Sequence, residues 1–118
     1  MKILAYGTLR HTEYNFKRTK DLYGDITLLD TILVEGFQMH DLLYYPAITK
    51  NPNTFITAEV LLVSDKAFDF ISRMEIGAGY TPLTLTIPTH GLCHIFIMNS
   101  CNAPIIPSGD WLVLTTRN

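Results

Sequence analysis

Apolar and polar positions along the chain fall mostly into short runs, alternating or continuous, of the kind that strands produce. Residues 3–6 form a brief apolar run stopped by Gly7, which predicts a buried first strand. Residues 26–36 mix Thr, Ile, Leu and Val, and residues 37–43 extend that strand or pair beside it. Residues 55–63 give the clearest strand, bounded by an Asn51-Pro52-Asn53 turn and by Ser64-Asp65. Residues 80–87 alternate, with Leu83, Leu85 and Ile87 on one face, and residues 92–98 and 111–115 complete the strands. Two short helices interrupt them. Residues 12–22 follow a Thr12 cap with Glu13 in the first turn and stop at Gly24; residues 65–75 form the second. Many strands and few helices predict an α+β domain whose curled or closed mixed sheet carries its helices on one side.

The second helix contains one residue that breaks its own pattern. At 100° per residue, Phe68, Ile71 and Glu75 share a face widened by Ala67, Phe70 and Met74, while Lys66, Asp69, Ser72 and Arg73 lie opposite. Glu75 is therefore the one charged residue on the apolar stripe, and it stands at the helix's C-terminal end. Burial and the negative end of the helix dipole both disfavour a carboxylate there and push its pKa upward. A carboxyl group tuned toward neutrality suits general acid/base work. A helix ending one residue earlier would instead let Glu75 fan out into solvent.

Composition narrows the class. One domain, residues 1–118, accounts for the length, and 47% apolar residues supply a core without staples. Nine Lys and Arg against eleven Asp and Glu give a net charge of −2, and no basic run exceeds Lys17-Arg18. Electrostatic binding to nucleic acid or to an anionic membrane is not expected. Two cysteines, Cys93 and Cys101, are too few for a disulfide framework. The opening residues carry too short an apolar run for a signal peptide, and no stretch approaches the length of a membrane span. A cytoplasmic, reduced protein is the expectation by elimination.

The remaining candidates are weaker. Tyr6-Gly7-Thr8-Leu9 links a strand to a helix, where glycine lets successive backbone N–H groups converge on an anion, although an ordinary turn has the same sequence. His90, Cys93 and His94 are spaced like metal ligands, but on a strand Cys93 points away from the two histidines, so no metal site is expected. His11 and His40 have no partner visible in the sequence. Of six tyrosines, Tyr44 and Tyr45 before Pro46 are expected to pack a loop, with one ring a candidate to line a cavity.

These pieces line up in one order. Tyr6-Gly7-Thr8-Leu9-Arg10 followed by Asn15, then Gly36-Phe37, Tyr45-Pro46-Ala47, Ala58-Glu59-Val60, Arg73-Met74-Glu75 with Tyr80, and Ser108-Gly109-Asp110-Trp111 resemble the marks of the gamma-glutamylcyclotransferase-like, or AIG2-like, family. The resemblance spans nearly the whole chain and is nearest to bacterial members of unassigned activity. It implies a small mixed β-barrel with two flanking helices and a cavity at one end. It also implies that backbone amides of Tyr6, Gly7, Thr8 and Leu9 hold the glutamyl end of a substrate. Glu75 would then be the general acid/base, with Tyr80 beside it. Where the family usually shows Leu-Asp-x-x-Glu-Gly, this chain has Ile71-Ser72-Arg73-Met74-Glu75-Ile76.

The activity so implied is cyclisation of a γ-glutamyl amine or amino acid to 5-oxoproline, with no metal or organic cofactor and with a small-molecule γ-glutamyl substrate as the expected partner, and neither nucleic acid nor membrane. Two other readings share the fold: a domain that binds a small ligand without turnover, and a related γ-glutamyl or acyl transferase. Oligomeric state leaves no mark in the sequence.

Overall fold

The computed structural model describes residues 1–116. In chain order its elements are β1 (Lys2–Ala5), α1 (Tyr14–Tyr23), β2 (Ile26–Asp41), β3 (Pro46–Val63), α2 (Asp65–Gly77), β4 (Thr81–Ile87), β5 (Gly91–Ile97) and α3 (Trp111–Thr116). The five strands form one mixed sheet in the order β2-β3-β1-β5-β4. Only β1 and β5 run parallel; the other neighbours are antiparallel. Ile3, Leu4, Val60, Leu61, Ile71 and Ile95 are fully buried in one core cluster; because successive strand residues point to opposite faces, the middle of the sheet is covered on both sides, with α2 packing through Ile71.

The expected α+β architecture is present, but the sheet curls without closing into a barrel. β2 and β3 pair with two irregularities: Leu29 is skipped between Leu28 opposite Leu61 and Asp30 opposite Val60, and residues 51–54 of β3 stand against Gly36 alone, so that the register passes from Glu35 opposite Phe55 to Phe37 opposite Lys50. Gly36 has φ +94°, open to glycine, and Thr54 Oγ1 closes the irregularity by donating to the Phe37 carbonyl at 2.6 Å. The predicted Asn-Pro turn is thus a bulge inside one long strand, and bulges bend and twist the strands that carry them. Beyond the bend, Ile48 accepts from the Met98 N–H at 2.9 Å, which brings the start of β3 to the end of β5. The sheet's outer strands, β2 and β4, form no ladder with each other. His90 Nε2, in the β4–β5 turn, lies 2.9 Å from Asp30 Oδ2 of β2 and bridges that gap. That contact is the largest reason the Asp30 carboxyl is held below its ordinary pKa.

The helices differ from expectation at their ends. α1 begins at Tyr14 behind Glu13 and not behind Thr12, with no side-chain cap. The Asn15 N–H in its first turn donates instead to the Thr8 carbonyl at 3.1 Å, so the preceding loop caps it. Gly24, at φ +80°, ends it as expected, donating to Lys20 O at 2.8 Å. Ser64 caps α2 by accepting from the Ala67 N–H at 3.1 Å, and α2 runs to Gly77, past Glu75 and Ile76. The expected strand at 111–115 is a helix, α3. The Asp110 carboxylate accepts from the Leu112 N–H at 3.0 Å, a capping contact that overrides the β-branched composition of the segment.

Candidate active site

A cavity of about 430 Å³ opens where β1 ends. Its walls come from β1, the loop through Tyr6, Gly7, Thr8 and Leu9, the start of α1 at Tyr14 and Asn15, the β2–β3 hairpin tip at Tyr44, Tyr45 and Pro46, and the end of α2 at Met74 and Glu75. Tyr80 and Phe96 complete it. All six residues expected at the site therefore line one cavity: Tyr6, Gly7, Thr8, Leu9, Glu75 and Tyr80. Of its lining residues only Glu75 is charged.

The loop turns because its carbonyls are tied inward. Gly7 O accepts from the Arg10 N–H at 3.0 Å and Thr8 O from the Asn15 N–H at 3.1 Å, while the Asn15 side chain donates to Thr8 Oγ1 at 2.8 Å. The N–H groups of Gly7, Thr8 and Leu9 have no acceptor among the described residues. Gly7 is required sterically. A Cβ there would stand 2.6 Å from both Cγ and Cδ of Pro46.

Glu75 sits in the interior of α2's last turns, facing the cavity. Burial raises its pKa from 4.5 to about 7, so both protonation states are populated near neutrality. Tyr6 and Tyr80 flank it, and both phenols are pushed well above their ordinary pKa, first by burial and further by neighbouring charges that include Glu75. Each phenol donates to a backbone carbonyl at 2.6 Å, Tyr6 to Phe96 and Tyr80 to Pro46. Their protons are committed to the scaffold, which leaves their lone pairs as acceptors toward the cavity. Ile76 is helical and exposed. The Ser72 hydroxyl, expected on the solvent side, is buried without a partner among the described residues.

The structure adds to what the sequence suggests, where one ring of the Tyr44-Tyr45 pair is a candidate to line a cavity. Tyr44 and Tyr45 both line the cavity, from a hairpin tip strained by Leu43 at φ +78°. His11 finds a partner in Glu59, and His40 sits between the Ala103 carbonyl and Thr49 Oγ1. Glu59, Arg10 and Asp110 form a largely buried ionic chain behind the loop. Of the histidine–cysteine cluster, His90 pairs with Asp30, His94 stacks near Phe68, and Cys93 is buried with its thiol pKa raised by that burial. Among the described residues no three His, Cys, Asp or Glu side chains gather as a metal site would require.

The family model described as gamma-glutamyl cyclotransferase, AIG2-like, matches residues 3–113. The chain belongs to that family. Comparison with curated proteins yields no match. Among solved structures, the uncharacterized protein PH0828 from Pyrococcus horikoshii is 26% identical with a TM-score of 0.83, over 99% of this chain and 94% of that one. The ytfP protein of Escherichia coli is 21% identical with a TM-score of 0.76, covering 98% and 99%. An AIG2-like protein of Mus musculus is 18% identical with a TM-score of 0.69, covering 91% and 86%. The last two establish a shared fold.

Proposed function

We infer that this chain is a γ-glutamyl cyclotransferase-type enzyme acting on a γ-glutamyl amine or amino acid. The observation that supports the reading is that Glu75 and residues Gly7, Thr8 and Leu9, whose N–H groups have no acceptor among the described residues, line one cavity. The loop holds the substrate's α-carboxylate, which folds the glutamyl chain so that its α-amine lies near its own γ-carbonyl. Such positioning makes ring closure a proximity-driven step. Glu75, ionised, takes a proton from the α-ammonium group. The freed amine attacks the γ-carbonyl carbon, a C–N bond forms, and the five-membered lactam closes. Glu75 then gives its proton to the departing nitrogen as the original amide C–N bond breaks, takes the surplus proton left on the new ring nitrogen and passes it to the released amine, so that 5-oxoproline and an ammonium group leave and Glu75 returns ionised. A carboxyl group with a pKa of about 7 can serve in both directions, which typically contributes about 10²- to 10⁴-fold. Tyr6 and Tyr80 shape the wall around the reacting amide and keep Glu75 desolvated.

The test is release of 5-oxoproline from γ-glutamyl amines, γ-glutamyl amino acids and glutathione. Turnover of at least one, abolished by Glu75→Gln, is expected. Release from none, together with binding of a small ligand that Glu75→Gln retains, would make the domain a binder.

A further inference from the structure

Glu59 lies behind the cavity and takes no part in the proton transfers, yet each hydrogen bond of its side chain goes to the end of the loop in front of it. Its backbone lies in register with Ala5, the last residue of β1, so the β1–β3 ladder fixes the point where the chain enters the loop. Its carboxylate fixes the point where the chain leaves. Oε1 accepts from the His11 backbone N–H at 2.6 Å, and Oε2 lies 3.0 Å from both Arg10 Nε and His11 Nδ1. One residue therefore pins both ends of the loop through Gly7, Thr8 and Leu9. Its burial is nearly complete, with the Glu59 side chain 1% and the Arg10 side chain 6% exposed. Arg10 Nη1 continues to Asp110 Oδ1 at 2.8 Å, which ties the same point to the segment before α3.

A buried ion pair of this kind contributes little net stability, because desolvation offsets most of its attraction, but it holds one geometry and penalises others. Three carboxylate contacts on two successive residues leave the loop's exit no freedom to rotate. We propose that Glu59 is a positioning residue that sets the spacing and direction of the loop N–H groups, and hence the grip on the substrate's carboxylate, without touching substrate. This rests on the reading of residues 7–9 as the anion-holding segment.

Glu59→Gln and Glu59→Asp test it. Glutamine keeps the shape and still accepts from the His11 N–H, but its amide nitrogen opposes the Arg10 Nε–H, donor against donor. Aspartate keeps the charge that Arg10 requires and so preserves folding, but its carboxylate falls one methylene short. In both ligand-free variants the amide resonances of Gly7, Thr8, Leu9 and His11 are expected to move, with those of Ile71 in α2 unchanged. With a γ-glutamyl substrate that wild type turns over, KM is expected to rise about tenfold or more while kcat stays within about threefold. The pH limb set by Glu75 is expected to stay where it is. Loop resonances that do not move in a folded variant would overturn the proposal, as would a wild-type KM in Glu59→Asp, which would leave Glu59 with charge balance alone. If wild type turns over no γ-glutamyl compound, the cyclotransferase reading fails by itself. The resonances, recorded without substrate, then still decide the role of Glu59.

Discussion

Glu75 carries two properties that pull against each other, since the burial that makes it a usable base also makes it a cost to the fold. Its pKa stands at about 7 in the folded protein against 4.5 when free. A carboxyl group raised in this way favours the native state while protonated, below about pH 4.5, and that contribution is lost as pH rises through about 7. Glu75→Gln, which cannot ionise, is therefore expected to match wild type in stability near pH 4.5 and to exceed it above pH 7, by up to about 3 kcal/mol. Urea unfolding at pH 4.5 and pH 8 measures this; equal stabilities at pH 8 would mean that Glu75 is solvated. The same substitution is expected to lower turnover by about 10² or more with a far smaller change in binding. Wild-type kcat/KM is expected to rise with pH along a limb centred near 7. Glu75 was legible in the sequence because a lone carboxylate on an apolar stripe is an anomaly of period. Glu59 was not, although it interrupts an apolar strand, because its meaning lies in partners that stand 49 and 48 residues away along the chain.

Elements built from local signals were read correctly, and those decided by distant contacts were not. The β3 strand after the bulge, the start of α2 and the glycine stop of α1 follow from alternation, a serine cap and a positive φ. The start of α1 is set by Thr8, and α3 exists because Asp110 caps a segment whose composition favours a strand. The loop through Gly7 illustrates the same division. Glycine was expected there for backbone freedom, but Gly7 does not lie in the left-handed region. What excludes a side chain is the Pro46 ring at 2.6 Å. Gly7→Ala must push Pro46 aside, and Pro46 carries the carbonyl that holds the Tyr80 hydroxyl. The substitution is expected to cost about 1–3 kcal/mol, as overpacking does, and to raise KM by widening the loop from the hairpin. Thermal unfolding and steady-state kinetics check both, and an unchanged KM would separate the Pro46 contact from binding.

Across the whole molecule, the curl of the sheet brings the C-terminal segment back to the chain's first loop. Residues 104–106 pair with the far half of β2: the Pro104 carbonyl accepts from the Asp41 N–H at 2.8 Å, and the Met39 carbonyl accepts from the Ile106 N–H at 2.9 Å. Gly109 then lies flat against β3, its carbonyl accepting from the Thr57 N–H at 2.8 Å, and Asp110 reaches Arg10. Two independent demands meet at Gly109. Its φ is +66°, and a Cβ would run into the Phe55 carbonyl oxygen and stand 3.2 Å from Ile56 Cα. Gly24 provides the matched control, with φ +80° and open space around the position of a Cβ. Gly24→Ala is therefore expected to cost only the backbone term, about 1 kcal/mol. Gly109→Ala adds overpacking against β3, for a total of about 2–4 kcal/mol. Because the displaced segment includes Asp110, Gly109→Ala is also expected to raise KM, which Gly24→Ala is not. Denaturant unfolding of the two variants side by side measures the difference. Equal losses of stability would show that the C-terminal segment can lift from β3 at no cost, and that the tether from Asp110 to Arg10 does not hold the loop.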